Sequence, residues 1–186
     1  MWKSGSARRD FKTTRQNGGV ASGQILQVNI SPGGVPKLPI QAARVSRLGI
    51  EGDKHLYHLH GGAQKALMIM SAELIQTLTG EGFAVYYGAM GENLTVLGLP
   101  HNEWRPGQRY RAGTALIELT EPRQPCSKLR PYGRGIEKRI LGAPGESGFY
   151  AAVLEDGIIC PGDTIQLVDP VVDYARPFSF DRSRPD

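Results

Sequence analysis

Glycine and proline punctuate this chain so closely that short strands and turns fit between them and long helices do not. Of 186 residues, 24 are Gly and 13 are Pro, spread among short apolar runs. Residues 24–30 alternate and carry β-branched side chains, a strand by pattern, and Ser31-Pro32-Gly33-Gly34 turns the chain. A second extended run is expected near 42–48, and a buried strand at 66–70. Ser71 then suits the N-cap of a helix over 72–78, with Leu74, Ile75 and Leu78 at helical spacing. Further strand segments fall at 91–96, within 105–113, at 114–120 and at 163–168. A short basic-faced helix fits 135–141. Glu155-Asp156-Gly157, flanked by runs at 148–154 and 157–160, reads as a hairpin turn. The sum is a mainly β single domain with two or three short helices, closed or nearly closed into a barrel.

Charge is divided unevenly. The chain holds 22 basic and 18 acidic residues, and five of the basic ones against a single acid lie in the first twenty positions. The body is therefore neutral and the start reads as a polar basic tail. Between Arg105 and Arg139, however, nine Lys or Arg face three Glu. That excess suits an anionic small molecule or nucleic acid, and equally a solvated face. No apolar run reaches the length of a membrane-spanning helix, and the polar start lacks the apolar core of a secretory signal. With two cysteines, too few for a disulfide framework, a cytoplasmic location is expected.

The chemistry gathers around Glu121-Pro122-Arg123-Gln124-Pro125-Cys126-Ser127-Lys128-Leu129-Arg130. Both prolines stiffen the chain, so Cys126 is expected on a rigid loop at a strand end, among cations. Only the thiolate is a good nucleophile or metal ligand. The segment alone serves a reactive thiol and an inert core thiol equally well. A second polar cluster holds Asp53, His55, His58, His60, Gly61, Gly62 and Lys65. The histidines invite a zinc reading, but no CxxC pair accompanies them, and on a strand His55 would oppose the other two. His60-Gly61-Gly62 offers backbone N–H groups for an anion, with Lys65 as a point charge; a plain glycine turn beside a surface lysine fits as well. Glu92 and Asn93 can hydrogen-bond a heterocycle edge, or Asn93 can stabilise a turn. Neither GxGxxG, GxxxxGK[ST] nor GxSxG occurs.

Taken in order, these pieces resemble the MOSC family, named for the C-terminal domain of molybdenum-cofactor sulfurase. The matching elements are Gly52-Asp53, His60-Gly61-Gly62 with Lys65-Ala66, Gly91-Glu92-Asn93-Leu94, Pro106-Gly107, Pro122-Arg123-Gln124-Pro125-Cys126, and Gly162-Asp163. The resemblance covers 23–169, leaving tails at 1–22 and 170–186. It implies a MOSC-type β-barrel, similar to the barrel of pyruvate kinase. It further implies a cysteine, here Cys126, that ligates molybdenum or carries sulfur; Cys160 matches no motif. The cofactor implied is molybdopterin with its molybdenum. Asp53, His60, Gly61, Gly62, Lys65, Glu92, Asn93, Arg123 and Arg130 are the residues expected to bind it.

Small bacterial members that reduce N-hydroxylated bases and amidoximes are the most similar, so a molybdenum-dependent oxidoreductase is expected. No iron–sulfur or flavin module is recognisable after Val168, which calls for a separate electron donor. No pyridoxal-phosphate desulfurase domain is recognisable either, so Lys65 is a poor Schiff-base candidate and pyridoxal phosphate is not expected. The competing reading is a carrier of sulfur, as a persulfide on Cys126, or of the cofactor itself, served by a sulfur donor. A nucleic-acid module is the weakest reading, because only Tyr110 and Tyr132 stand near the basic residues for stacking. No membrane partner is expected.

Overall fold

The computed structural model describes residues 20–54 and 61–169. Residues 1–19 of the expected tail 1–22, the expected tail 170–186, and His55, His58 and His60 lie outside the described residues; Ser22, placed in the tail, is the first residue of a strand. Among these residues, seven strands close into a barrel: β1 (Ser22–Ile30), β6 (Leu94–Leu97), β5 (Leu67–Ser71), β9 (Phe149–Glu155), β8 (Ala115–Pro122), β7 (Arg109–Ala112) and β11 (Thr164–Asp169), which returns to β1. The fold class is thus mainly β, as the turn-rich pattern requires.

β1 is the closing strand. Its start pairs with β11, its middle with β6, and its end with the short β2 (Leu38–Ile40). β5 and β6 pair in parallel, the others antiparallel. A parallel pair needs a crossover rather than a hairpin. Helix α1 (Ala72–Gly80) begins that crossover, with the Leu74 N–H donating to the Ser71 hydroxyl at 3.2 Å as the sequence predicts.

Period-two alternation places Ala115, Ile117 and Leu119 of β8 inside the barrel, beside Ile25, Val28, Leu94, Val96 and Val153. β5 is buried throughout, and apolar from Leu67 to Met70, because both of its faces are covered. Leu67 and Ile69 enter the barrel, while Met68 and Met70 meet a second cluster containing Leu74, Leu78, Met90, Leu129 and, from helix α2 (Ile136–Ile140), both terminal isoleucines.

One expectation fails. The segment after Glu155-Asp156 does not fold back on β9 as a hairpin. Instead β10 (Gly157–Ile159) pairs with β3 (Ala43–Ser46), which pairs with β4 (Gly49–Ile50) in a separate small sheet. Both edges of β9 are already taken, by β5 and by β8. Thr114 draws β10 away as well: its N–H donates to the Ile158 carbonyl at 3.1 Å, and its hydroxyl accepts the Ile158 N–H at 2.8 Å. Among the described residues no helix is long and apolar enough to cross a membrane.

Candidate functional site: a cation-lined cleft around Cys126

β8 delivers the site. Its register against β9 shifts near its end, and the Arg123 N–H then bonds the Gly148 carbonyl at 2.9 Å. The two prolines carry the chain to Cys126, which sits in extended conformation at the start of a 3-10 segment, Ser127–Tyr132. The fully buried Leu129, whose N–H donates to the Cys126 carbonyl at 3.1 Å, pins that segment to the second core cluster. Cys126 is half-buried and free, as is Cys160.

Cys126 borders a cleft that opens to solvent. Lys37, Lys65, Arg123, Lys128 and Tyr150 also line it, with Gly61 and Gly91 at its rim. Arg123 is 6% exposed, and burial pushes its pKa down from the ordinary arginine value against the opposing pull of Tyr150, Cys126 and Glu92. Its Nη1 has no hydrogen-bond partner. A buried guanidinium left part-unpaired is costly, and the cost is relieved when an anion enters. Lys65 carries less free charge. Its Nζ pairs with Glu121 at 2.6 Å and lies 5.0 Å over the Tyr150 ring. Lys54 and Lys128, also at the cleft, have no acidic partner among the described residues.

Several residues expected to meet a ligand face elsewhere. Glu92 is fully buried and does not line the cleft; its Oε1 accepts the Gly88 N–H at 2.6 Å and the Thr95 hydroxyl at 3.2 Å. Burial raises its pKa to about 7, and Oε2 is without a partner. Asp53 is buried behind the cleft, where Oδ1 accepts the Ser31 N–H at 2.8 Å and Oδ2 accepts from Asn93 Nδ2 at 2.8 Å and from Lys37. Asn93 reaches the cleft wall, but its carboxamide is engaged: Oδ1 accepts the Met68 N–H at 3.1 Å and Nδ2 also donates to the Asn29 carbonyl. Arg130 stands apart, its guanidinium paired with Glu137 at 3.1 Å on an exposed face. Gly62, at φ 83°, caps the 3-10 turn Ala63–Lys65 and leaves open space where a Cβ would be.

Sequence reasoning missed Lys37. It is 6% exposed and borders the cleft, although lysine is among the residues least often buried. Its setting gave no signal of this: Val35-Pro36-Lys37-Leu38-Pro39 is apolar on both sides of the lysine, yet Leu38 is itself 60% exposed.

Residues 56–166 match the family described as "MOSC domain", more than half of the chain, and the chain belongs to that family. It is 33% identical over 147 residues to the uncharacterized protein YflK of Bacillus subtilis, covering 73% of this chain and 63% of YflK. It is also 33% identical over 132 residues to a protein of Gibberella moniliformis named "Reductase", covering 67% of this chain and 23% of that protein. The chain therefore spans less than two thirds of either relative. The crystal structure of YiiM from Geobacillus stearothermophilus superposes with a TM-score of 0.66 at 32% identity, covering 79% of this chain and 75% of that one.

Proposed function

We propose that the cleft binds a molybdenum cofactor with Cys126 as its thiolate ligand. The loaded protein then reduces N-hydroxylated bases or amidoximes, with electrons from a separate donor. The observation carrying this reading is the pairing of a free, half-buried cysteine with a buried guanidinium whose Nη1 lacks a partner in the same cleft.

Those residues fit the group. Molybdopterin is anionic through its phosphate; Arg123 offers an unpartnered Nη1, and Lys54 and Lys128, without an acidic partner among the described residues, supply further positive charge. Cys126 supplies the soft donor that a sulfur-rich metal centre takes. Lys65 and Gly61 line the same cleft. When bound, the cofactor supplies the two electrons of the reduction. The chain's share is to hold an anion in a partly desolvated cleft, to orient substrate beside Cys126, and to manage protons. The relative named a reductase agrees with this class of chemistry.

The test is protein produced in a cofactor-making host and assayed with an artificial reductant. Cys126→Ser exchanges a soft thiolate for a hydroxyl at nearly constant size, so turnover is lost while the fold stays intact. Bound molybdenum with turnover abolished in the variant supports the reductase. Absence of molybdenum under every loading condition, together with a persulfide on Cys126, would overturn it in favour of a sulfur carrier.

A further inference from the structure

The polar residues behind the cleft converge on one amine. Lys37 Nζ pairs with Asp53, and Asp53 is held in turn by the Ser31 N–H and by Asn93 Nδ2. The Lys37 backbone N–H donates to the Gly88 carbonyl at 2.9 Å. Gly88, at φ 96°, packs against the Lys37 carbonyl so closely that a Cβ there would collide with it. Glu92 fixes this turn by accepting the Gly88 N–H. Asp53, Glu92 and Asn93 therefore form a socket for Lys37. A buried ion pair is seldom worth more to stability than apolar packing of the same volume, so the socket calls for another role.

We propose that Lys37 is a catalytic residue of the cleft, the proton donor to the oxygen that departs as the N–O bond breaks. This rests on the reductase reading above. The overall change is R–NHOH with two electrons and two protons giving R–NH2 and water. The Lys37 ammonium gives one proton to the hydroxyl oxygen, the N–O bond breaks, and the oxygen leaves as water. The electron pair comes from the cofactor, replenished by the external donor. Solvent supplies the second proton to nitrogen and later reprotonates Lys37.

Three features favour donation over anchoring of an anion. Asp53 already pairs directly with the Lys37 amine, whereas among the described residues Lys54 and Lys128 have no acidic partner and Arg123 Nη1 has no hydrogen-bond partner. After Lys37 gives up its proton, Asp53 still accepts from Asn93 and Ser31, so no carboxylate is stranded. Burial also lowers the Lys37 pKa from the ordinary lysine value, outweighing the raising effect of Asp53 and Glu92. The other titratable groups at the cleft are Cys126, Tyr150, Arg123, Lys54, Lys65 and Lys128.

The test has two arms. In the cofactor-free protein, 15N-lysine NMR, with Lys37 assigned by its absence in Lys37→Arg, should show Lys37 titrating below the surface lysines. Titration together with them overturns the proposal. In the loaded protein, Lys37→Arg keeps the charge and the molybdenum content but gives up protons poorly, so turnover should fall by about a hundredfold or more, the scale of general acid catalysis. Asp53→Asn leaves the amine in place without its anion, and should move the alkaline limb of the pH–rate profile to lower pH. An active wild type with a fully active Lys37→Arg defeats Lys37 as donor while leaving the reductase reading standing. An inactive loaded wild type defeats both.

Discussion

The carboxyl of Glu92 should make the folded protein less stable as pH rises through neutrality, and replacing it with Gln should remove that dependence. Glu92 is fully buried and its pKa is raised to about 7 from an ordinary value of 4.5, with desolvation the largest cause. The shift already includes the opposing effects of the Gly88 N–H, the Thr95 hydroxyl and Arg123. Because the folded-state pKa lies above the unfolded one, the folded protein holds the proton longer. Stability is full below about pH 4.5, falls between there and about pH 7, and stays at the lower level above. A shift of this size corresponds to about 3 kcal/mol in all, of which about 2.5 kcal/mol falls between pH 5 and pH 8. Glu92→Gln keeps an oxygen to accept from Gly88 and Thr95 and cannot ionise. Urea unfolding of the cofactor-free wild type and variant at pH 5 and pH 8 reads the effect directly. The wild type should lose the stated amount relative to the variant, which becomes the more stable protein at pH 8. Other titrating groups, such as His101 with its pKa lowered by burial, are common to both proteins and cancel in the comparison. Equal pH dependence in the two, or a variant weaker at pH 8, would refute the reasoning.

Two further substitutions probe the cleft walls. Gly88→Ala combines a positive φ with a collision against the Lys37 carbonyl, and should cost about 3 kcal/mol or more in urea unfolding, because backbone rather than a flexible side chain must yield; an unchanged midpoint contradicts the close packing. Arg123→Met removes a buried, part-unpaired cation, so the cofactor-free protein should hold its stability or gain some. Molybdenum retained after gel filtration should meanwhile fall about tenfold to a hundredfold, the loss expected for a charge-assisted hydrogen bond. Full retention of molybdenum by Arg123→Met would remove that residue from the binding surface.

The barrel was legible because its strands announce themselves locally. The alternation of β8 and the unbroken apolar run of β5 are direct consequences of covering one face or two. The Glu155-Asp156-Gly157 turn misled because turn chemistry is local while strand pairing depends on which edges are free, and β9 has none. The site follows the same division. Lys65, Asn93, Arg123 and Cys126 do border one cleft, and stiff, strand-ended loops with clustered charge are the kind of signal that survives in a sequence. What the sequence could not carry is the direction in which a loop side chain points. Asp53 was expected at a ligand through the resemblance, and Glu92 and Asn93 because a carboxylate and a carboxamide can meet a heterocycle edge, with a turn role for Asn93 equally open. Their polar atoms turn inward instead, bonding the Asn29 carbonyl and the Ser31, Met68 and Gly88 N–H groups at strand ends and turns. Lys37 stayed hidden for the complementary reason: a buried ammonium is tolerable only beside a partner 16 residues away, Asp53, which the same inward turn provides. A motif of polar residues beside glycines can thus mark the support of a functional group as readily as the group itself.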